Sequence, residues 1–574
     1  MMQVKKPIIE CKQLSFQYDS QQEPTLQAID VTIYEGETVL ILGPSGSGKS
    51  TFGHLINGLI PNAYVGTITG EMTVGDLQVG KADIFSLSTY VGTVLQDTDG
   101  QFLGLTVAED IAFALENEAV PTEQMHQQVQ YWAEKVGLQN QLTYRPQDLS
   151  GGQKQRVSMA GVMIGKTPIL LFDEPLANLD PAAGKQAMEY IHELKQELNA
   201  TVIIIEHRLE DVLHCPLDRM LVFDQGRLVS DHTPAELLAS DTLTKLGIRE
   251  PLYISALKYA GVDLSRLSNL ADIQALDFTQ AQAQLKDWYQ QYQATSPKIT
   301  STPLLRLAHI QAGYQQTPIL KDMTTVIQKG EMTAIVGQNG AGKSTLIKLI
   351  CGFLQPTAGT LLYKEEDFTK ASIKERADKI GYVMQNPNQM ISQTMIFDEV
   401  ALGLRLRQVA EDEIKTRVYE ALKICGLYPY RNWPIQALSY GQKKRVTIAS
   451  MLVLQPEILI LDEPTAGQDY AHYTKMMSFL ESLNRQGITI LMVTHDMHLM
   501  LEYTNRALVI VDGKLIADIQ PADLLTNEAL IEQASLKATS LYYLAKRIGL
   551  ATPASFVQAF IDFERKAREQ ADAK

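Results

Sequence analysis

Two glycine-rich stretches of the chain have the residue types and spacing of a loop that binds phosphate. GPSGSGKST occupies residues 43–51, and GQNGAGKST occupies residues 337–345. Each follows an apolar run and opens a predicted helix. Glycines let several backbone N–H groups face one phosphate chain, and the helix N-terminus adds a positive dipole. Both stretches are therefore predicted to bind the phosphates of a nucleotide.

Charged and hydroxyl side chains complete each loop. Lys49 and Lys343 would stand between the β- and γ-phosphates, and Ser50 and Ser344 would offer a hydroxyl to Mg²⁺. The predicted binding residues are Gly43, Pro44, Ser45, Gly46, Ser47, Gly48, Lys49, Ser50 and Thr51 in the first loop, and Gly337, Gln338, Asn339, Gly340, Ala341, Gly342, Lys343, Ser344 and Thr345 in the second.

An Asp-Glu pair ends a later apolar run in each half. Asp173 and Asp462 are predicted to hold Mg²⁺ through water. Glu174 and Glu463 could polarise a water in line with the γ-phosphate, as a catalytic base does. The alternative for these carboxylates is a structural role that only caps the next turn.

Histidines and glutamines follow further strands at matching places. His207 and His495 could hydrogen-bond the γ-phosphate and the attacking water, although a lone histidine is more often structural. Gln96 and Gln385 could sense both Mg²⁺ and water from a loop that bends toward another subunit.

LSGGQ at 149–153 and LSYGQ at 438–442 each open a predicted helix, where N–H groups and a hydroxyl suit an anion. The predicted nucleotide-binding residues here are Ser150, Gly151, Gly152, Gln153, Ser439, Gly441 and Gln442. Each motif lies far from its own phosphate loop, which leaves room for it to serve a different nucleotide. Tyr18 and Tyr314 could stack on adenine, but a core or surface tyrosine is an equal reading.

The elements that must position these residues indicate an α/β fold in two copies. TVLIL, ILLF and TVIII are typical of buried strands, and the helices between them indicate a mostly parallel sheet. Residues 97–165 are predicted to be helical and carry LSGGQ. Motifs of the first half recur about 289 residues later, so the chain is a repeat.

Four segments follow from this repeat. They are a nucleotide-binding domain at 8–247, a helical tail and linker at 248–303, a second such domain at 304–536, and a helical C-terminal tail at 537–574. Each tail is expected to pack against its own domain or against the other tail, and helix amphipathicity leaves both possibilities open.

Composition limits the partners. The chain has 574 residues and a net charge of −15, which argues against a general binder of nucleic-acid backbones or anionic lipid. Its four cysteines are far apart, which argues against zinc and iron–sulfur sites and favours buried thiols in a reducing compartment. The N-terminus does not have the pattern of a signal peptide, and a membrane-spanning apolar run is not expected.

Phosphate loop, Gln, LSGGQ, Asp-Glu and His in this order resemble the ABC-type ATPases, and the resemblance covers nearly the whole chain twice. It implies two P-loop NTPase domains, each with a RecA-like sheet, a small antiparallel β subdomain and a helical signature subdomain. It implies ATP and Mg²⁺ as cofactors, and ATP hydrolysis. It also implies an intramolecular head-to-tail sandwich, with each ATP between the phosphate loop of one domain and the signature of the other. Asp180 and Asp469 match the family's position at that seam.

VLQDTDGQFLGLTVAEDIAFALEN and VMQNPNQMISQTMIFDEVALGL narrow the resemblance to the ATPases of bacterial energy-coupling-factor importers. Such ATPases sit peripherally on the cytoplasmic face of the cell membrane, on a T component that holds a substrate-binding S component. The resemblance implies uptake of a vitamin or a metal ion, with grooves for the T component after Gln96 and Gln385. The fused form is similar to ATPases assigned to thiamine-precursor uptake.

The sequence departs from the family pattern at two places. Tyr440 replaces a signature glycine, and Asp97-Thr98 replaces the expected Asn-Pro. Both halves nevertheless keep Lys, Asp, Glu and His, so both sites are expected to hydrolyse ATP.

Two other functions compete with an importer subunit. One is a soluble tandem ABC protein acting on ribosomes or DNA, and the charge-balanced linker and sparse cysteines argue against it. The other is a non-hydrolysing regulatory switch, which the complete set of catalytic residues disfavours.

Overall fold

The computed structural model describes residues 5–96, 100–176, 179–279, 281–292, 302–315, 317–465 and 468–572. The chain forms two compact units. The first unit comprises Met1–Gln284 with Asp469–Ala471, and the second comprises Leu285–Gln468 with His472–Lys574. The division at residue 284 falls inside the predicted linker, and the four domain boundaries stay predictions.

Ten strands in two sheets are found among the described residues of the first unit. They are β1 (Pro7–Tyr18), β2 (Leu26–Tyr34), β3 (Thr38–Leu42), β4 (Gly66–Val74), β5 (Leu77–Gln78), β6 (Val91–Val94), β7 (Ile169–Asp173), β8 (Thr201–Ile205), β9 (Arg219–Asp224) and β10 (Arg227–His232). One sheet is antiparallel, in the order β2-β1-β4-β5. The other has the order β10-β9-β3-β8-β7-β6, and only β10 runs antiparallel to its neighbour.

Burial explains why the central strands consist of continuous apolar runs. Every residue of β3 and β8 is buried, because helices and the antiparallel sheet cover both faces of the parallel sheet. One apolar cluster joins the two sheets, with Phe52 of the intervening helix at its centre. The mostly parallel α/β sheet is therefore as predicted.

Helices of the first unit form the layers around this sheet and a separate helical group. They are α1 (Lys49–Ile56), α2 (Leu59–Asn62), α3 (Ile84–Ser88), α4 (Val107–Asn117), α5 (Thr122–Lys135), α6 (Gly151–Met163), α7 (Pro181–Leu198), α8 (Leu209–Val212), α9 (Pro234–Ala239), α10 (Thr242–Lys245) and α11 (Leu252–Tyr259), followed by α12 (Gln282–Gln291), which spans the division between the units. The predicted helical insertion is confirmed, because α4, α5 and α6 pack on one another.

The second unit repeats this plan. Its strands are β11 (Pro303–Tyr314), β12 (Thr317–Gln328), β13 (Met332–Val336), β14 (Ala358–Tyr363), β15 (Glu366–Asp367), β16 (Ile380–Val383), β17 (Ile458–Asp462), β18 (Thr489–Val493), β19 (Arg506–Val511) and β20 (Lys514–Ile519). The antiparallel sheet has the order β12-β11-β14-β15, and the other sheet has the order β16-β17-β18-β13-β19-β20. In register, Ala334 of β13 lies beside Met492 of β18 and Ala507 of β19.

The helices of the second unit also follow the first. They are α13 (Lys343–Cys351), α14 (Ile373–Ala377), α15 (Ile396–Arg405), α16 (Glu411–Ile424), α17 (Tyr440–Leu452), α18 (Tyr470–Arg485), α19 (Met497–Tyr503), α20 (Pro521–Leu524), α21 (Glu528–Gln533), α22 (Ser540–Arg547) and α23 (Pro553–Asp572). Within the described ranges, no helix is both long and apolar enough to cross a membrane.

Aromatic side chains hold the end of the linker within the second unit. The rings of Trp288 and Tyr292 lie 5.6 and 4.9 Å from the ring of Phe563 on α23, in edge-to-face geometry. Of the two packing arrangements that the sequence left open, this segment therefore adopts contact with the C-terminal tail.

The four cysteines are all free and buried. Burial raises the pKa of the Cys11, Cys351 and Cys425 thiols to about 12, so they are neutral apolar side chains at ordinary pH.

Candidate functional site

The first phosphate loop connects the buried strand β3 to helix α1. Gly43, Gly46 and Gly48 all have φ in the left-handed region. A Cβ on Gly43 would overlap the carbonyl oxygen of Phe223, and one on Gly48 would lie 2.6 Å from a methyl group of Leu26. Glycine is therefore required where the loop passes close to the sheet.

Lys49 begins α1 and folds back over its own loop. Its Nζ donates to the carbonyl oxygens of Gly43 and Pro44, at 2.8 Å each. Burial lowers the pKa of the ammonium to about 8, against the opposing effect of the nearby Glu174 carboxylate. A positive charge held by two carbonyls at the rim of a loop of N–H groups suits a phosphate chain.

The second phosphate loop has the same geometry between β13 and α13. Lys343 Nζ donates to the carbonyl oxygens of Gly337 and Gln338, at 2.7 and 2.9 Å. A Cβ on Gly337 would overlap the carbonyl oxygen of Ile510, as its counterpart would in the first unit. The predicted loop residues are thus assembled in both units, and their contact with nucleotide stays a prediction.

Asp173 and Asp462 occupy the carboxyl ends of parallel strands β7 and β17. Burial raises the pKa of Asp173 to about 6, and the Glu174 and Glu206 carboxylates add to this. Burial also raises the pKa of Asp462, while a hydrogen bond from Tyr382 lowers it. Such half-buried carboxylates gain from a bound cation.

Glu174 and Glu463 follow these aspartates with an unusual backbone. Both have φ in the left-handed region, 49° and 45°. The N–H of Glu174 donates to the carbonyl of Ile205 at 2.8 Å, and that of Glu463 donates to the carbonyl of Val493 at 3.0 Å. Pairing with the neighbouring strand pins each glutamate at the edge of the sheet.

Histidine and glutamine side chains lie close to the glutamates of the Asp-Glu pairs. His207 Nε2 lies 3.2 Å from a carboxylate oxygen of Glu174, and His495 Nε2 lies 3.7 Å from one of Glu463. Gln96 donates its amide to the other oxygen of Glu174 at 2.5 Å. The structure therefore brings Glu, His and, in the first unit, Gln into one group, and their roles in hydrolysis stay predictions.

The donor set fits magnesium. Ser50 offers an exposed hydroxyl, Gln96 an exposed amide, and the buried Oδ1 of Asp173 has no hydrogen-bond partner among the described residues. Hydroxyl, amide and carboxylate oxygens are the hard ligands that Mg²⁺ prefers, and it usually takes only one or two carboxylates from the protein. Ser344, Gln385 and Asp462 supply the same set in the second unit.

The signature serines have a structural role that is visible in each unit. Ser150 caps α6, since its Oγ accepts from the N–H of Gln153 at 3.4 Å and its own N–H donates to the Gln153 side chain at 2.9 Å. Ser439 and Gln442 form the same reciprocal cap on α17. This cap fixes the helix N-terminus that is predicted to bind an anion, and that binding stays a prediction.

The two candidate adenine residues differ. Tyr18 is half-buried, and its hydroxyl lies 3.1 Å from Oγ1 of Thr51, just after the phosphate loop. Tyr314 is 44% exposed and has Lys348 Nζ 5.6 Å from its ring centre. Tyr314 therefore presents the more open ring, and adenine stacking by either residue stays a prediction.

Motif reasoning missed two buried charges beside the sites. Glu206 accepts from the N–H groups of Leu176 and His207, and Thr494 stands at its matching place in the second half. Lys444 lies buried beside Asp462, where the first unit has Gln155. Aligning the two halves residue by residue would have revealed both differences. Asp97 and Thr98, the departure after Gln96, lie outside the described residues.

Comparison with known proteins agrees with this geometry. A family model described as ABC transporter matches residues 26–177 and 320–466, and both segments contain a phosphate loop, a signature and an Asp-Glu pair. A second model, described as ATP-binding cassette cobalt transporter, matches residues 240–311, which include the linker helices.

Whole-length relatives are assigned as ABC transporter ATP-binding proteins. One from Enterococcus faecalis is 60% identical over 98% of this chain and 100% of its own length. One from Lactiplantibacillus plantarum is 55% identical, again over 98% and 100%. Among solved structures, part of the ABC transporter complex cbiONQ from Clostridium perfringens is 33% identical and covers 42% of this chain and 99% of its own, with a TM-score of 0.38.

Proposed function

This chain belongs to the ABC transporter family of ATP-hydrolysing subunits, and on that premise we propose that it powers an energy-coupling-factor importer. It would drive uptake of a small substrate, a vitamin or a metal ion, through a membrane T component that holds an S component. The observation that supports this most strongly is that each unit gathers Lys, Asp, Glu and His at one edge of its parallel sheet. A regulatory switch would not need both sets.

Hydrolysis in the first unit follows from the residues around Glu174. The loop N–H groups and Lys49 hold the phosphates in line, while Ser50, Asp173 and Gln96 would hold Mg²⁺. When bound, the cation supplies charge neutralisation at the phosphates. Glu174 orients a water and accepts its proton, and His207 keeps the carboxylate in place.

We propose that the two units bind ATP head to tail. The Lys49 set would then act with Ser439 and Gly441, and the Lys343 set with Ser150 and Gly152. The duplicated order of motifs along one chain supports this arrangement, and tandem fusion raises the effective concentration of the two partners.

Exposed apolar side chains near Gln96 suit docking on a membrane protein. Leu103 and Leu105 follow this glutamine and are 67% and 80% exposed. In the second unit, a groove of about 300 Å³ lies in the corresponding helical layer, lined by Met395, Phe397, Asp398, Lys415, Tyr419, Arg431 and Asn432. These surfaces support the T component as the partner and a peripheral position on the cytoplasmic face of the membrane.

Co-expression tests the assignment. The chain should pellet with bacterial membranes only when its T component is present, and Lys49→Ala plus Lys343→Ala should abolish substrate uptake into cells. The exposed pair Lys81→Ala plus Lys370→Ala is the matched control and should leave uptake unchanged. Sedimentation with ribosomes in the absence of the T component, or undiminished uptake by the Lys49/Lys343 variant, would contradict the proposal.

A further inference from the structure

Helix α17 differs from its counterpart α6 at two positions close to the catalytic edge. α17 carries Tyr440 and Lys444, whereas α6 carries Gly151 and Gln155. The two helices otherwise share their N-terminal cap and their length of 13 residues. Further differences lie later in the helix, whereas Tyr440 and Lys444 are near its N-terminus and face the neighbouring loop.

Lys444 joins three parts of the second unit. Its side chain is 1% exposed, and Nζ donates to the carbonyl oxygens of Met384 and Gln385 at 2.7 Å each. It also lies 3.5 Å from the carbonyl oxygen of Asp462. Three backbone oxygens thus match the three protons of an ammonium that burial would otherwise destabilise.

Tyr440 reaches the same loop. Its hydroxyl donates to the carbonyl oxygen of Gln385 at 3.2 Å, so this oxygen accepts from both residues. Lys443, between them, lies with Nζ 3.5 Å from the side-chain oxygen of Asn388. One face of α17 therefore contacts the main chain at residues 384 and 385 and the side chain of Asn388.

The first unit is arranged differently. Gly151 has no side chain, and Gln155 donates its amide to the carbonyl oxygen of Pro175. Gln96 is held through its side chain, by Glu174. The link from the signature helix to the main chain of the glutamine loop is a property of Tyr440 and Lys444.

We propose that Lys444, with Tyr440 beside it, is a positioning residue that assembles the magnesium side of the second catalytic site before nucleotide binds. It fixes the loop of Gln385 and the end of β17 at Asp462 relative to each other. The inference rests on the proposed function, because it takes Gln385 and Asp462 as the groups that hold the cation. The two sites then differ in how the glutamine is held, through the main chain of Gln385 in the second unit and through the side chain of Gln96 in the first.

Lys444 also places a positive charge beside Asp462 and Glu463. Its removal would free the loop and would leave the carboxylates with a more negative field, which attracts a divalent cation more strongly. The freed loop weakens magnesium binding and the stronger field strengthens it, so the magnesium requirement does not report the role of Lys444. Turnover and hydrogen exchange of the loop do report it, because both depend on the contacts of Lys444 with residues 384 and 385.

The test compares Lys444→Gln with the parent in full-length chain that carries Glu174→Gln, so that turnover reports the second site. We expect kcat to fall about tenfold. In nucleotide-free chain, amide hydrogen exchange in residues 384–390 should quicken about tenfold. Unchanged kcat or unchanged exchange would overturn the inference.

Two further variants guard against misfolding. Lys423→Gln, at an exposed position on α16, is the matched control and should change exchange less than twofold. Tyr440→Phe keeps the ring and removes one hydrogen bond, so exchange should rise about threefold even if Lys444→Gln does not fold. Hydrogen exchange can be measured without ATP turnover. A parent chain that does not hydrolyse ATP would therefore count against the proposed function. Exchange as slow as in the parent for both Lys444→Gln and Tyr440→Phe would contradict only the inference that α17 holds the Gln385 loop.

Discussion

At the scale of single residues, the two Asp-Glu pairs have opposite neighbours. Asp173 lies near the buried carboxylate of Glu206, whereas Asp462 lies near the buried ammonium of Lys444. Burial lowers the pKa of Lys444 to about 8, against the opposing effect of Asp462. The same motif therefore works in a more negative field in the first unit than in the second.

Acid should weaken magnesium binding at the first site. The pKa of Asp173 is raised to about 6, so the carboxylate is ionised above that pH and gains a proton as the pH falls through it. Mg²⁺ affinity should then drop by about tenfold per pH unit below 6. Fluorescent-nucleotide titrations with Mg²⁺ on chain carrying Lys343→Ala measure it. Asp173→Asn is the control, expected to bind weakly at every pH; a flat profile in the parent would contradict the prediction.

Each catalytic glutamate should matter on its own. Glu174→Gln and Glu463→Gln remove the base but keep the shape, so each should cost a large share of ATP turnover. The double variant should lose about 100-fold or more. Phosphate release by purified chain is the measurement, with the exposed Glu123→Gln as control. Full activity in either single variant would show that its site does not turn over.

The sequence identifies the motif residues of each site, but it does not identify the buried side chains that surround them. Lys49, Asp173 and Glu174 belong to motifs whose spacing already implies a reaction. Glu206 and Lys444 belong to none, and their importance comes from burial, which a single sequence does not display. Departures between the two halves are the signal for such residues, and among these buried or bulky differences the family pattern identifies Tyr440 alone.

At the scale of elements, a buried arginine secures the helix that follows the second phosphate loop. Arg376 of α14 is fully buried, and its guanidinium donates to the carbonyl oxygens of Leu349 and Ile350 at the end of α13, at 2.6 and 3.1 Å. It also donates to the carbonyls of Phe368, Thr369 and Ala371. The guanidinium thus provides donors for carbonyl groups at the C-terminus of α13 and in the loop between β15 and α14.

Arg376→Ala should destabilise the second unit by about 3–5 kcal/mol, because a fully buried guanidinium and its hydrogen bonds to five carbonyl oxygens are lost. Urea unfolding of the full chain, followed through the second transition, measures it. Lys374→Ala on the exposed side of the same short helix should change stability by less than about 0.5 kcal/mol. Equal stability of the two variants would show that water replaces the guanidinium.

Periodicity explains which elements could be predicted. The apolar runs of β3, β7 and β8 are buried on both faces and so predict parallel strands directly. The antiparallel sheet was expected only from family resemblance, since its strands are half exposed and its β1–β2 pairing contains register shifts. Arg376 was not predicted, because five backbone partners leave no pattern in the sequence.

At the scale of the whole molecule, the end of the linker, at residues 288–292, packs on helix α23. Trp288 is 5% exposed and meets Phe556 and Phe563 edge to face, at 6.0 and 5.6 Å between ring centres. The second unit therefore includes both its own C-terminal tail and part of the linker. The domain boundary that the motifs predict, at residue 303, would assign Trp288 and its contact residues on α23 to different segments.

Trp288→Ala should lower the free energy of unfolding by about 3–5 kcal/mol, because a buried aromatic side chain leaves a cavity. Trp433→Ala, at a position that is 48% exposed, is the matched control and should cost less than about 1 kcal/mol. Combining Trp288→Ala with Phe563→Ala should cost less than the sum of the two. Strict additivity would show that the two rings do not interact.

The left-handed backbone at Glu174 and Glu463 affects the thermal stability of the protein. A side chain in that conformation costs roughly 1 kcal/mol relative to glycine. Glu174→Gly and Glu463→Gly should therefore melt at a higher temperature than the parent while being inert toward ATP. The two glutamates are therefore points of local strain in the fold, and each glycine variant is expected to be more stable than the parent and to retain ATP without hydrolysing it.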